Sequence, residues 1–173
     1  MLPNSANPDG SQNMLLRNLG ADQHRQKTAW ADLEEGAPTI IGLAELCGMA
    51  MANPTKESPV DQLSDEAKAI LVVAAKRGTM DIRCKRDSFD SAARLLSVCV
   101  EYELNQRMLF LSDQDPQQTI RFLEGFRQLC EHGLVLHHLN KDFSLSSLGF
   151  EVASGLARSD YEGLIGFAIE LEH

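Results

Sequence analysis

The chain is 173 residues long, 43% hydrophobic and 24% charged, with 16 Lys and Arg against 25 Asp and Glu, a formal net charge of −9. This apolar content excludes a disordered polyelectrolyte, the acidity excludes a uniformly cationic nucleic-acid coat protein, and the length suits one ordinary domain with a real core. The cysteines at 47, 84, 99 and 130 form no Cys-x-x-Cys, which argues against a disulfide framework or a four-cysteine zinc site and for reduced thiols in the cytoplasm.

Residues 1–13 are polar and turn-rich, with no secretory pattern, and are expected to lack regular structure. Trp30 and Leu33 sit at helical spacing before Gly36 and Pro38. Residues 39–52 read as a helix capped by Thr39, with Ile40, Leu43, Ala44, Cys47 and Met51 on one face and Gly42 and Gly48 weakening it. This most apolar stretch is shorter than the roughly 20 residues a bilayer span needs, so no membrane role is expected. Residues 53–62 have linker composition, which leaves 1–63 as a poorly ordered segment with one helix.

A better-specified domain is expected over 64–158. It is also nearly neutral, so the whole-chain charge understates it as a possible polyanion binder: residues 1–63 carry 4 basic and 8 acidic side chains, 64–158 carry 12 and 13, and 159–173 carry none and 4. Ser64 caps a helix whose first turn holds Asp65 and Glu66, and Gly78 closes it. Met80, Ile82 and Cys84 alternate with Asp81 and Arg83, the period of a strand. A second helix is expected from Asp87 or Ser88 to about Asn105, burying Phe89, Ala92, Ala93, Leu96, Cys99 and Val100. Met108–Leu111 is a short apolar run that periodicity leaves open as a strand or a buried loop end.

Asp115-Pro116-Gln117-Gln118 opens a helix over 116–132. Asp caps it, Pro fills its first position, and Gln118 is placed to reach back as in a capping box. Ile120, Leu123, Phe126, Leu129 and Cys130 form its buried face, and Gly133 ends it. Residues 134–136 and 143–145 flank a turn at 140–142, a hairpin pattern. A helix then begins at Ser146 or Ser147. Ser159 and Glu162 read as the capping box of a last amphipathic helix over 159–170, with Tyr161, Leu164, Ile165, Ala168 and Ile169 on one stripe. Residues 171–173 read as the start of an expression tag. The expected core includes Leu71, Ile82, Leu96, Leu123, Phe126, Leu134 and Phe143.

Gly133-Leu134-Val135, followed by a hairpin and then Phe143-Ser144-Leu145-Ser146-Ser147-Leu148-Gly149, resembles the second half of a winged helix-turn-helix domain. The resemblance covers 122–157 closely and 64–158 by element order. It implies an α+β, mostly helical fold with a winged-helix-like core, and DNA binding in many members. On that reading Gln117, Gln118 and Arg121 would face base edges from helix 116–132, and Lys141 in the hairpin 134–145 would meet phosphate. Lys76, Arg77, Arg83, Lys85 and Arg86 are the one basic cluster. Against it, Asp115, Glu124 and Glu131 share the helix, and eight residues, 108–115, separate it from the helix before.

No phosphate-loop, zinc-protease or nucleophile-elbow motif occurs, so neither catalysis nor a small-molecule substrate is expected. Cys130, His132, His137 and His138 are of metal-ligand type, but adjacent strand positions 137 and 138 face opposite ways, so no metal or other cofactor is expected. Glu101 and Glu103 do not make a carboxylate pair on the expected helix. The expected function is a non-catalytic association module with a protein partner or a second copy of itself, the stripe at 161–169 supplying the surface. The alternative is a DNA-binding regulator.

Overall fold

The structure, a computed structural model, describes residues 38–54, 58–84 and 94–172. Expectations for residues 1–13, Trp30, Lys85, Arg86, Phe89, Ala92 and Ala93 lie outside them. The described chain is α+β, with five α-helices and one antiparallel sheet: α1 over 38–52, α2 Asp65–Ala74, β1 Thr79–Arg83, β2 Ser97–Glu103, β3 Gln106–Leu109, α3 Pro116–Glu131, β4 Val135–His137, β5 Asp142–Leu145, α4 Ser147–Ser154, α5 Glu162–Ile165 and β6 Ile169–Glu172. The strand order is β4-β5-β1-β2-β3-β6.

Local chemistry sets most boundaries. Ser64 Oγ accepts from the Ala67 N–H, and Gly78, at φ 71°, donates to the Ala74 carbonyl at 2.7 Å, so both ends of α2 are satisfied. Asp115 caps α3 by accepting from the N–H groups of Gln117 and Gln118, with Pro116 at the first turn. The expected reciprocal bond from Gln118 is not made: the Asp115 N–H donates to Ser112 Oγ at 3.0 Å. Asp115→Ala should therefore cost about 1 kcal/mol, the usual value of a cap, measured as a shift in the urea midpoint. Ser146 caps α4 and also donates to the Gly133 carbonyl at 2.7 Å, which ties the turn before β4 to the helix after β5.

Alternation along the strands sorts the sheet into two faces. Met80, Ile82, Val98, Val100, Met108, Phe143 and Leu145 join one core with α2, α3 and α4. Phe110 and Phe122 stack at 4.5 Å, and Phe126 meets Phe143 edge-on at 5.1 Å, so α3 is bolted to the sheet by aromatic pairs. Helix α1 is part of the same core through Ile40, Leu43 and Cys47. On the opposite face Cys99, Leu109 and Leu111 pack with Ile169 and Leu171.

Four expectations are corrected. Residues 97–103 are strand, not the end of a helix: Val98 and Val100 are buried in the helix-side core and Cys99 against Leu109 and Leu111 on the other face, and Asn105 at φ 63° turns the chain into β3. The helix over 159–170 is absent. A 3-10 turn at Arg158–Tyr161 leads into the single-turn α5, Ser159 makes no cap there, and 169–172 pair with β3 as a strand. Leu171 and Glu172, set aside as tag, pair with Arg107 and Gln106 in that strand. Finally, Ile120 and Met51 are exposed rather than core, Leu96 and Leu123 are only partly buried, and α1 already includes Thr39.

Candidate functional site

The residues singled out from the sequence lie in several places, of which the outward side of α3 is one. Its inward side holds Phe122, Gly125, Phe126, Leu129 and Cys130, which leaves Gln117, Ile120, Arg121, Glu124 and Glu131 exposed. Arg127 donates to Glu124 from Nε and Nη2 and reaches Glu131 at 2.7 Å from Nη1, one guanidinium between two carboxylates. The Arg127 contact holds the Glu124 carboxyl below the usual range, so both charges persist at neutral pH. Gln118 is turned inward: it is 6% exposed, and its amide nitrogen has no hydrogen-bond partner among the described residues. Gln128 is also used internally, its Oε1 accepting from the Ser64 N–H at 2.9 Å.

The basic cluster is divided and neutralised. Lys76 pairs with Glu103, and Arg77 lies 3.7 Å from Glu101. Arg83 donates to both carboxylate oxygens of Asp81, and that contact raises the guanidinium pKa further. Lys76 and Arg77 lie at the Thr79 end of β1, whereas Arg83 and Lys141 lie at the other, where the Ile82 N–H donates to the Lys141 carbonyl. The five residues of β1 put about 13 Å between its ends. Asp81 and Arg83 also alternate with Met80 and Ile82, which face the helices, so they point away from α3. Lys85 and Arg86 lie outside the described residues. Only Lys141 and Arg121, of the described basic residues proposed to meet nucleic acid, lack an ion pair among the described residues.

The open sheet face holds a small cleft of about 70 Å³ lined by Thr79, Asp81, Cys99, Glu101, Arg107 and Asp142. Cross-strand pairing explains the grouping, since Asp142, Asp81 and Cys99 share one row and Thr79, Glu101 and Arg107 the next. Burial, and then Asp81 beside it, push the Cys99 thiol up to about 12, so it carries a proton and offers no thiolate. Among the described residues no group of three His, Cys, Asp or Glu is placed to hold a metal. His137 and His138 go to separate partners, the Asn140 carbonyl and Ser144 Oγ.

A groove of about 420 Å³ lies between the end of α1, the α3–β4 turn and the start of α4. Its lining includes Ala50, Met51, His132, Gly133, Leu136 and Leu148.

Comparison with protein-family profiles, curated proteins and solved structures finds no match.

The residues expected to form a self-association stripe do not form one. Ile165 is buried, Tyr161, Leu164 and Ala168 pack on the main core, and Ile169 packs on the opposite sheet face. These five side chains pack on their own chain, whereas Phe167 in the same segment is exposed. Sequence reasoning missed the β2–β3 hairpin and β6. The signals present were Asn105 between two apolar runs and the alternation of Ile169 and Leu171 with Glu170 and Glu172.

Proposed function

We propose that the described unit is a non-catalytic, winged-helix-like association module that binds another protein through the outward side of α3 and does not read DNA. The order α2-β1-α3-β4-β5, with β1 beside β5, supports the winged-helix reading, with the β2–β3 hairpin inserted before α3 and β6 added at the far edge. The observation that carries the functional reading is charge. Arg127 is held between Glu124 and Glu131, and Lys76, Arg77 and Arg83 each have an acidic partner. Phosphate binding needs cations free to displace counterions. What α3 presents instead is Ile120, 53% exposed, among Gln117, Arg121 and Glu124, an apolar centre with a mixed polar surround. Among the described residues no helix is long and apolar enough to cross a membrane, and the cytoplasm is the proposed setting.

Fluorescence anisotropy against mixed-sequence duplex DNA at about 50 mM salt should show no saturable binding up to about 10 μM protein, tighter than the weakest non-specific DNA binders. Saturable binding that falls steeply with salt, and falls further with Arg121→Glu and Lys141→Glu together, would overturn the reading.

A further inference from the structure

The sheet ends on β6, and among the described residues that strand pairs with β3 alone. In an antiparallel pair alternate residues turn their N–H and C=O groups toward the neighbour, and the residues between turn theirs away. The four residues of β6 therefore hold main-chain donors and acceptors outward, the arrangement that takes up one more strand. β4, at the other edge, is three residues long. The side chains of β6 divide by face. Ile169 and Leu171 lie on the open side of the sheet, partly buried against Cys99, Leu109 and Leu111. Glu170 is exposed, in register with Met108, and makes no ion pair among the described residues. Phe167, 52% exposed, stands just before the strand. From 159 to 173 the sequence has acidic residues at 160, 162, 170 and 172 and no Lys or Arg.

We propose that the outer edge of β6 docks a basic, extended segment of a partner protein in which apolar residues alternate with Lys or Arg. Strand addition binds through main-chain hydrogen bonds, and the alternate side chains select the partner. Residues directly opposite one another in paired strands share a face. A strand with this alternation continues the Leu109–Ile169 row with an apolar side chain and sets a cation opposite Glu170. The same reasoning argues against a second copy of β6 as the occupant. Two copies of one edge related by a two-fold axis pair antiparallel. Registers that keep the apolar residues together then oppose Glu170 to Glu170 or to Glu172, and the other registers oppose it to Ile169 or Leu171. Like charges directly opposite are unfavourable, and an apolar neighbour gives a carboxylate no partner. The surface is independent of α3, since it uses none of Gln117, Ile120, Arg121 or Glu124.

The test titrates the full chain into a fluorescent peptide of about eight residues, alternating Lys and Val, at about 50 mM salt, where screening is modest. Saturable binding is expected, with none for a Glu–Val peptide of the same length. The Lys–Val peptide N-methylated at every residue keeps its charge and loses its N–H donors, and it should not bind. Amide hydrogen exchange at 169–172 should slow when the unmethylated peptide is bound. Glu170→Lys should weaken the Lys–Val peptide at least about threefold and let the Glu–Val peptide bind. Its urea midpoint should match that of the wild type, because residue 170 is exposed at an edge. No saturable binding of the Lys–Val peptide up to about 1 mM would overturn the proposal and leave Glu170 as a charge that guards the edge. Equal binding of the N-methylated peptide, or binding without protection of 169–172, would also overturn it, because charge attraction alone would then account for the affinity. So would an affinity that Glu170→Lys leaves unchanged.

Discussion

Replacing Gly149 by Ala should destabilise the fold by about 1–2 kcal/mol net, although the substitution adds helix propensity. A Cβ built on Gly149 lies 2.1 Å from the Leu134 carbonyl oxygen and 3.3 Å from Leu145. The carbonyl belongs to the backbone at the start of β4, and it already accepts the Ser146 N–H at 2.9 Å. It cannot rotate away as a side chain would. Overpacking of this kind costs about 1–3 kcal/mol and sometimes more, against about 1 kcal/mol gained for Gly to Ala within a helix, and here the clash wins. Gly42→Ala is the contrasting case. Gly42 lies in α1 with nothing within 4 Å of its would-be Cβ, so it should gain up to about 1 kcal/mol. Urea unfolding of the two variants side by side checks both signs.

Phe126→Ala should cost about 3–5 kcal/mol, the range for emptying a buried aromatic site. Phe126 is fully buried and meets Phe143 edge-on, and Phe143 in turn lies on β5 opposite both His137 and Met80. Truncation removes the contact that seats α3 on the sheet, and neither partner is on a free loop that could fill the space. Leu123→Ala, at a partly buried position of the same helix, should cost less, below about 2 kcal/mol. Equal losses at 123 and 126 would mean that α3 is turned differently on the sheet.

Where polar chemistry at a chain end or turn decides the structure, it was legible in the sequence. Ser64, Gly78, Asp115, Gly133, Asn140 and Ser146 act as read, because capping and left-handed turns depend on a residue and its near neighbours. Tertiary placement decided the rest. Residues 97–100 carry no alternation because the strand is covered on both faces, and a doubly buried strand looks like a helix core to a periodicity argument. At the far end, Gly163 and Gly166 should have counted against a long helix, and setting Leu171 and Glu172 aside hid half of a two-residue alternation. The candidate site divided the same way. Arg121 is on the outward side of its helix as periodicity predicts, but only the fold puts Gln118 inside, gives Gln128 to Ser64, and sets Glu101 and Glu103 against Arg77 and Lys76. Those acidic partners come from β2, whose residues the periodicity assigns to a helix.

A photo-crosslinking residue at position 120 tests most directly the claim that α3 meets a protein, because Ile120 is the exposed apolar side chain on its outward side. With the full chain irradiated in its native host, a discrete protein adduct should form that resists nuclease, and the same probe at exposed Glu151 on α4 should not give it. An adduct that nuclease removes, or an equal yield of the same adduct from position 151, would contradict the account.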